Sequence, residues 1–347
     1  MRIKAFLAAG AVGSVIWLGM AAAPALADNG PHVSTAGNTA VDRCAACHRA
    51  HTAQAQYLTR QAQPAMCFTC HGPTAGGATT DVVDGIGYSA IDIGRTGTAQ
   101  ALRGGGFSYA LIDSGHASRS ASGVTPAFKT VPVLAAGVAT TSAHTVDGSM
   151  QTAWGNGAIS ATASAGAQIS LRCGSCHDPH GNGNYRILRP IPVDSGTTTG
   201  VTIPDSRTKV YTTANYWATD DPNSAAVTTP IVVTNSAGVS TPYTPSVFIA
   251  NISAWCSQCH TRYMATSGSY KTNSGDAIYT YRHRSDQNYK EGGANCITCH
   301  VAHGSNASMS GSNSSQVSLP NGSAATPGDS RLLRVDNRGT CNMCHNV

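Results

Sequence analysis

Charge is scarce in this chain. Of its 347 residues only 11% are Asp, Glu, Lys or Arg, against about 25% in an ordinary globular protein. The balance of 22 basic over 17 acidic residues leaves a formal +5. So thin a charge excludes a protein that grips nucleic acid through a basic stripe. Large apolar residues are scarce as well: Leu, Ile, Val and Phe together make up 16% of the chain, below the roughly 20% under which a packed hydrocarbon core is in doubt. Glu occurs once, at Glu291, and beyond residue 27 the only lysines are Lys129, Lys209, Lys271 and Lys290. Gly, Ser, Thr, Ala and Asn abound instead, so long helices are not expected. Beyond the N-terminal run no stretch reaches the ~18 apolar residues of a membrane-spanning helix, and no membrane insertion is expected. Cysteine is what the chain has in excess, with twelve copies. In a chain this poor in core residues, something attached or coordinated must supply the missing apolar volume.

The N-terminus reads as a secretory signal. Arg2 and Lys4 precede an apolar run over residues 5–20, and Ala25-Leu26-Ala27 forms an A-x-A cleavage site. Residues 1–27 are therefore expected to be a signal peptide, and residues 28–347 a single secreted domain whose formal charge falls to +3 with the loss of Arg2 and Lys4.

All twelve cysteines fall into six copies of C-x-x-C-H: Cys44/Cys47/His48, Cys67/Cys70/His71, Cys173/Cys176/His177, Cys256/Cys259/His260, Cys296/Cys299/His300 and Cys341/Cys344/His345. This is the c-type haem attachment signature: two thiols become thioethers to the haem vinyl groups and the adjacent histidine lies under the iron. A single copy could equally be a zinc half-site or a redox dithiol. Six copies with none left over point to six covalently attached c-type haems. Haem of this kind is attached outside the cytoplasm, here in the periplasm, which agrees with the signal peptide. The motifs start 23, 106, 83, 40 and 45 residues apart, which is no fixed repeat. The expected fold is mostly coil with short helices and few short strands, organised around a chain of six haems that replaces the missing core. Short β-prone runs stand at residues 208–212 and 227–234, and the second can turn through residues 235–238 into a hairpin.

Seven histidines lie outside the motifs: His32, His51, His116, His144, His180, His283 and His303. Six bis-His irons need six. His32, close to the N-terminus of the mature chain, is the odd one out, leaving His51, His116, His144, His180, His283 and His303 as the expected distal ligands. Three of these follow a motif histidine at one spacing, as His48/His51, His177/His180 and His300/His303. A histidine three residues after the one beneath an iron stays on the same side of the macrocycle, so it must serve a different haem. Such CHxxH elements fix neighbouring haems close together, as electron hopping requires.

In the order, number and CHxxH placement of these motifs, from Cys44 to His345 with His144, the CHDPHG run at Cys176, Trp255, Arg282-His283 and the CHVAHG run at Cys299, the chain resembles the outer-surface hexahaem cytochromes of the OmcS type. The resemblance implies an extracellular electron carrier whose identical subunits polymerise head-to-tail into a conductive filament with a continuous haem stack. It also implies that His51, near the mature N-terminus, is donated in trans to a haem of the neighbouring subunit. The final location would be extracellular or at the cell surface, and the other partners would be further cytochromes or extracellular electron acceptors. Electron transfer without substrate chemistry agrees with the residues themselves, since the histidine supply leaves no iron open for an enzyme's substrate. A monomeric periplasmic or surface shuttle is the alternative, and a multihaem reductase the more distant one.

Overall fold

A computed structural model describes residues 32, 42–74, 78–92, 94–102, 104–110, 138–156, 166–203, 231–234, 240–243, 245–261, 296–307 and 331–333. The expected signal peptide, His116, His283, the sixth motif and the β-prone run at 208–212 lie outside them. Helices among the described residues are short: α1 (Asp42–Cys47), α2 (Ala65–His71), α3 (Cys173–Cys176), α4 (Pro245–Cys256) and α5 (Cys296–Cys299). Each carries or ends on cysteines of a motif. None is long and apolar enough to cross a membrane.

The strands among the described residues are short, in keeping with a chain that is mostly coil. In the long interval after the second motif, β1 (Thr80–Asp81), β2 (Ile86–Asp92) and β3 (Gly94–Ala101) form a three-stranded antiparallel sheet. β4 (Tyr109–Ala110) pairs with β5 (Val138–Ala139), and β7 (Asp147–Trp154) with β8 (Gly166–Arg172). The expected hairpin after residue 227 is present as β9 (Ile231–Thr234) against β10 (Ser240–Tyr243), Ile231 opposite Tyr243. One pairing spans distant sequence: β6 (Ser142–Ala143) lies antiparallel to β11 (Gly304–Ser305), just past the fifth motif. Thr, Ser and Ala on alternate positions serve such ribbons, which need only one half-buried face. β8 shows it, with Ile169 and Leu171 buried and Gln168 and Arg172 exposed.

Among the described residues, two buried apolar clusters lie at attachment points. Leu188, Ile203 and Ile252 form one buried cluster, with Cys176, Tyr185, Trp255, Cys256 and Ile297 against it. Ala153, Ile169 and Leu171 form a second, against Cys259. Trp255 belongs to the first cluster, and its Nε1–H donates to the Arg189 carbonyl at 2.7 Å. α4 is thereby tied to the segment behind the third motif.

Glycine marks one close crossing. Gly105, at φ +71°, runs alongside Gly304, and a Cβ built on it would collide with the Gly304 carbonyl oxygen. Gly105→Ala should lower stability by about 1–3 kcal/mol through strain and lost contact. The measurement is thermal unfolding of the haem-loaded protein followed by Soret circular dichroism; an unchanged midpoint would show that the two segments do not cross this closely.

Candidate functional site

The five described motifs share one local geometry. Each first cysteine and its histidine stand one helical turn apart, the histidine N–H donating to the cysteine carbonyl: His48 to Cys44 at 2.7 Å, His177 to Cys173 at 2.9 Å, His260 to Cys256 at 3.1 Å and His300 to Cys296 at 2.8 Å. α2 carries Cys67 to His71 in the same way. Both sulfurs and the imidazole thus project from a single turn.

Every one of these imidazoles is also held through Nδ1. His48 is bound to the Tyr57 carbonyl at 2.9 Å, His177 to Arg186 at 2.8 Å, His260 to Trp154 at 2.5 Å and His300 to Arg331 at 2.9 Å. His71 contacts the Thr80 hydroxyl at 2.7 Å. A carbonyl can only accept, so the proton sits on Nδ1 and the Nε2 lone pair faces outward, the arrangement of a metal-binding histidine. Burial pushes the basicity of His144, His177, His260, His300 and His303 down, to about 4 at His260 and about 3 at His303, so these rings stay neutral and able to ligate.

Across the structure the histidine rings face each other in pairs. His48 lies 6.1 Å from His180, His71 lies 6.2 Å from His32, His177 lies 6.4 Å from His303 and His260 lies 6.3 Å from His144, centroid to centroid. Two imidazoles on opposite faces of one metal, each bonded through Nε2 at about 2.0–2.1 Å and each extending half a ring further, have centroids roughly 6 Å apart. The four pairs therefore fit a bis-His haem iron. Among the described residues no cluster of three or more His, Cys, Asp or Glu is placed to hold a bare ion. In none of the three CHxxH elements do the two histidines face one another. His180 of the third motif lies across from His48 of the first, and His303 of the fifth lies across from His177 of the third.

The pairing of His32 with His71 differs from the expectation that His32 stands apart. Its Nδ1 bonds the Pro179 carbonyl at 2.7 Å, inside the third motif's CHxxH element. His144 is held likewise, its Nδ1 on the Ala302 carbonyl at 2.6 Å, inside the fifth motif's element. His180 has its Nδ1 3.7 Å from the Asp178 carboxylate. His51 is exposed and faces no described histidine, and no described histidine faces His300. His116, His283, Cys341, Cys344 and His345 lie outside the described residues.

Cysteine contacts set the order of the motifs in space. Cys47 of the first motif lies within electrostatic reach of Cys67 and Cys70 of the second. Cys67 shares a hydrogen bond with Cys173 of the third, Cys176 lies near Cys259 of the fourth, and Cys256 shares a hydrogen bond with Cys296 of the fifth. In the haem-loaded protein these sulfurs are thioethers, so it is their proximity that matters here, not their acidity. Neighbours in sequence are neighbours in space, and none of the ten described cysteines is in a disulfide.

The structure also exposes a repeat that motif spacing conceals. Behind the first, third and fifth motifs the chain returns through two consecutive left-handed residues, Tyr57 and Leu58, Arg186 and Ile187, and Arg331 and Leu332. The first of each pair accepts from the motif histidine's Nδ1. The second accepts the N–H of the residue after that histidine: Arg49 to Leu58 at 2.8 Å, Asp178 to Ile187 at 2.7 Å and Val301 to Leu332 at 2.8 Å. In sequence the turns read YLTR, RILR and RLLR, and Arg60 and Arg334 each stand seven residues before the next motif, at Cys67 and Cys341. The chain is thus three two-motif units, with insertions in different places. The recurring Leu/Ile-x-Arg run was the available signal.

Comparison with known proteins agrees on the coarse identity. Residues 37–76, spanning the first two motifs, match the family model of a doubled CXXCH motif. No curated protein and no solved structure matches the chain. The doubled motif indicates a multihaem c-type cytochrome with covalently bound haem and a part in electron transport.

The facing pairs can be tested singly. His32→Ala and His180→Ala should each keep every haem attached by mass spectrometry while converting one iron from low-spin to high-spin or water-ligated, read by magnetic circular dichroism. A fully low-spin His32→Ala variant would remove His32 from the ligand set.

Proposed function

We propose that each of the six motifs holds one c-type haem with two imidazole ligands, and that the chain moves electrons along the six haems as the subunit of a head-to-tail extracellular filament. The haem supplies one-electron chemistry, its iron passing between ferric and ferrous. The protein's residues do the rest. The cysteine pairs tether each macrocycle. The carbonyls of Tyr57, Arg186, Arg331 and Trp154 fix the proximal imidazoles, and those of Pro179 and Ala302 fix the distal imidazoles of the second and fourth haems.

The observation that carries the filament is the direction in which CHxxH elements reach. His180 reaches from the third motif back to the first, and His303 from the fifth back to the third. His51 belongs to the first motif, which has none before it. The same step therefore takes His51 into the preceding subunit, onto the fifth haem, whose His300 lacks a facing histidine among the described residues. The stepping of the other two supports His51 in trans. The even-numbered haems follow a parallel rule: His32 precedes the first motif and serves the second, while His144 precedes the third and serves the fourth. His283 holds the corresponding place before the fifth motif and would serve the sixth, at His345. His116 is then the seventh histidine, without an iron. A contact in which one end of a subunit completes the other end of the next does not close on itself, and it generates a filament when the rotation allows.

Further cytochromes or extracellular acceptors would take the electrons onward. His51→Ala should leave six haems per chain and stop filament growth, with one iron per subunit now weakly ligated. Filaments of wild-type length from the variant would exclude trans ligation. A wild-type protein that stays monomeric with six six-coordinate irons would make the chain a soluble shuttle.

A further inference from the structure

The four facing histidine pairs do not share one geometry. The rings of His48 and His180 are 10° from parallel and those of His71 and His32 are 13° from parallel. His177 and His303 are inclined by 62°, and His260 and His144 by 50°. Among the described residues there are thus two near-parallel pairs, at the first and second motifs, and two crossed pairs, at the third and fourth.

Both crossed pairs take their distal member from one place, the ribbon of β6 and β11. β6 runs directly into His144, and β11 begins directly after His303. The His144 N–H donates to the His303 carbonyl at 2.8 Å and its Nδ1 to the Ala302 carbonyl at 2.6 Å, so the two histidines are locked together through the backbone. Thr141 fastens the ribbon further through its hydroxyl, which donates to the Ser305 carbonyl at 3.1 Å. His303 is confined on its other side by Phe107, whose ring stacks on it at 4.6 Å and 26°. Phe107 is itself fixed, its N–H on the Val82 carbonyl at 2.9 Å and its own carbonyl accepting from the Thr140 hydroxyl at 3.1 Å. Gly104 accepts the His303 N–H at 2.7 Å, and a Cβ there would come within 3.1 Å of the ring nitrogen. Backbone, glycine and phenyl ring leave the His303 imidazole little freedom to turn.

The angle between axial imidazoles has an electronic consequence. Low-spin ferric iron has one hole in its pair of π-symmetry d orbitals. Parallel imidazoles donate into the same member of that pair, split the two, and so stabilise the ferric state. Crossed imidazoles donate one into each and leave the pair nearly degenerate, and that stabilisation is lost. Ferrous iron fills both orbitals and is indifferent to the angle. A crossed pair therefore favours reduction, an axial-ligand effect separate from ligand identity, burial or charge.

We propose that Phe107 and the β6/β11 ribbon are positioning elements that hold His303 and His144 crossed to their partners, placing the third and fourth haems in a second electronic class of more positive potential than the first and second. This deepens the proposed electron-transfer function and rests on the ligand pairs given there. Among the first four haems, the first electrons to enter would settle on the third and fourth.

Electron paramagnetic resonance of the oxidised, haem-loaded full chain, followed through a reductive titration, tests this. At least two irons of the wild type should give the single low-field feature of crossed ligands and at least two the rhombic set of near-parallel ones, and the low-field feature should be lost first. Phe107→Leu removes the stacked ring. One iron's share of the low-field signal should then move to the rhombic set and titrate at lower potential, while Phe107→Tyr, which keeps the ring, should retain the wild-type spectrum. Rhombic signals alone in the wild type would overturn the proposal. So would a low-field feature lost last in the titration, or one unchanged in Phe107→Leu. A high-spin iron at the third or fourth haem of the wild type would refute the ligand pairing itself, and the proposal with it.

Discussion

An imidazole binds iron through one nitrogen, and it does so in a fixed orientation only when the other nitrogen is held. This requirement organises what the structure shows. All five described motif histidines have Nδ1 engaged, four of them by backbone carbonyls. To bring three of those carbonyls into position the chain places pairs of non-glycine residues in the left-handed region, at a cost of about 1–3 kcal/mol per residue. Strain of that kind persists only where the surroundings over-determine it, and here each pair is fastened twice, by the motif histidine's Nδ1 and by the N–H of the residue after it. Two of the distal histidines, His32 and His144, are held by the same device, with the acceptor carbonyls of Pro179 and Ala302 coming from segments far away in sequence. Each unit is therefore completed by another, and the order of the motifs in space follows.

The same requirement makes sense of the poverty of the core. Among the described residues, two clusters of three buried apolar residues cannot by themselves offset the conformational entropy of the segments they join. Their placement against Cys176, Cys256 and Cys259 puts them where a macrocycle would extend the apolar surface. In such an arrangement folding and cofactor attachment are one process, as in other small-cored proteins organised by a metal. The ribbons between motifs then need no core of their own, since their task is to deliver a carbonyl or a histidine to a given height along the chain.

Much of the site could be read in the sequence because covalent chemistry imposes spacing. Cys-x-x-Cys-His marks each attachment turn without regard to tertiary structure, and His180 and His303 could be assigned to foreign irons from helix geometry alone. The β9/β10 hairpin was likewise visible in residues 227–243. What escaped was set by distant contacts. His32 looked like part of a loose terminus because nothing local reveals the Pro179 carbonyl that holds it. The pairing of β6 with β11 joins Ser142 to Ser305, and no short-range pattern encodes it. The two-motif repeat was hidden by insertions of unequal length, although Leu58-Thr59-Arg60, Ile187-Leu188-Arg189 and Leu332-Leu333-Arg334 carry its trace. The hydrogen bond by which Trp255 ties α4 to the Arg189 carbonyl is likewise set by a distant contact.

The central claim is that ligands cross between units, so that each iron is held by two different parts of the chain. A cryo-electron microscopy map of the haem-loaded protein, at a resolution that separates imidazole rings, tests it most directly. The ladder requires His180 on the iron tethered at Cys44 and Cys47, His32 on that at Cys67 and Cys70, His303 on that at Cys173 and Cys176, and His144 on that at Cys256 and Cys259. Methionine, water or a histidine of another segment in any of these four positions would contradict it.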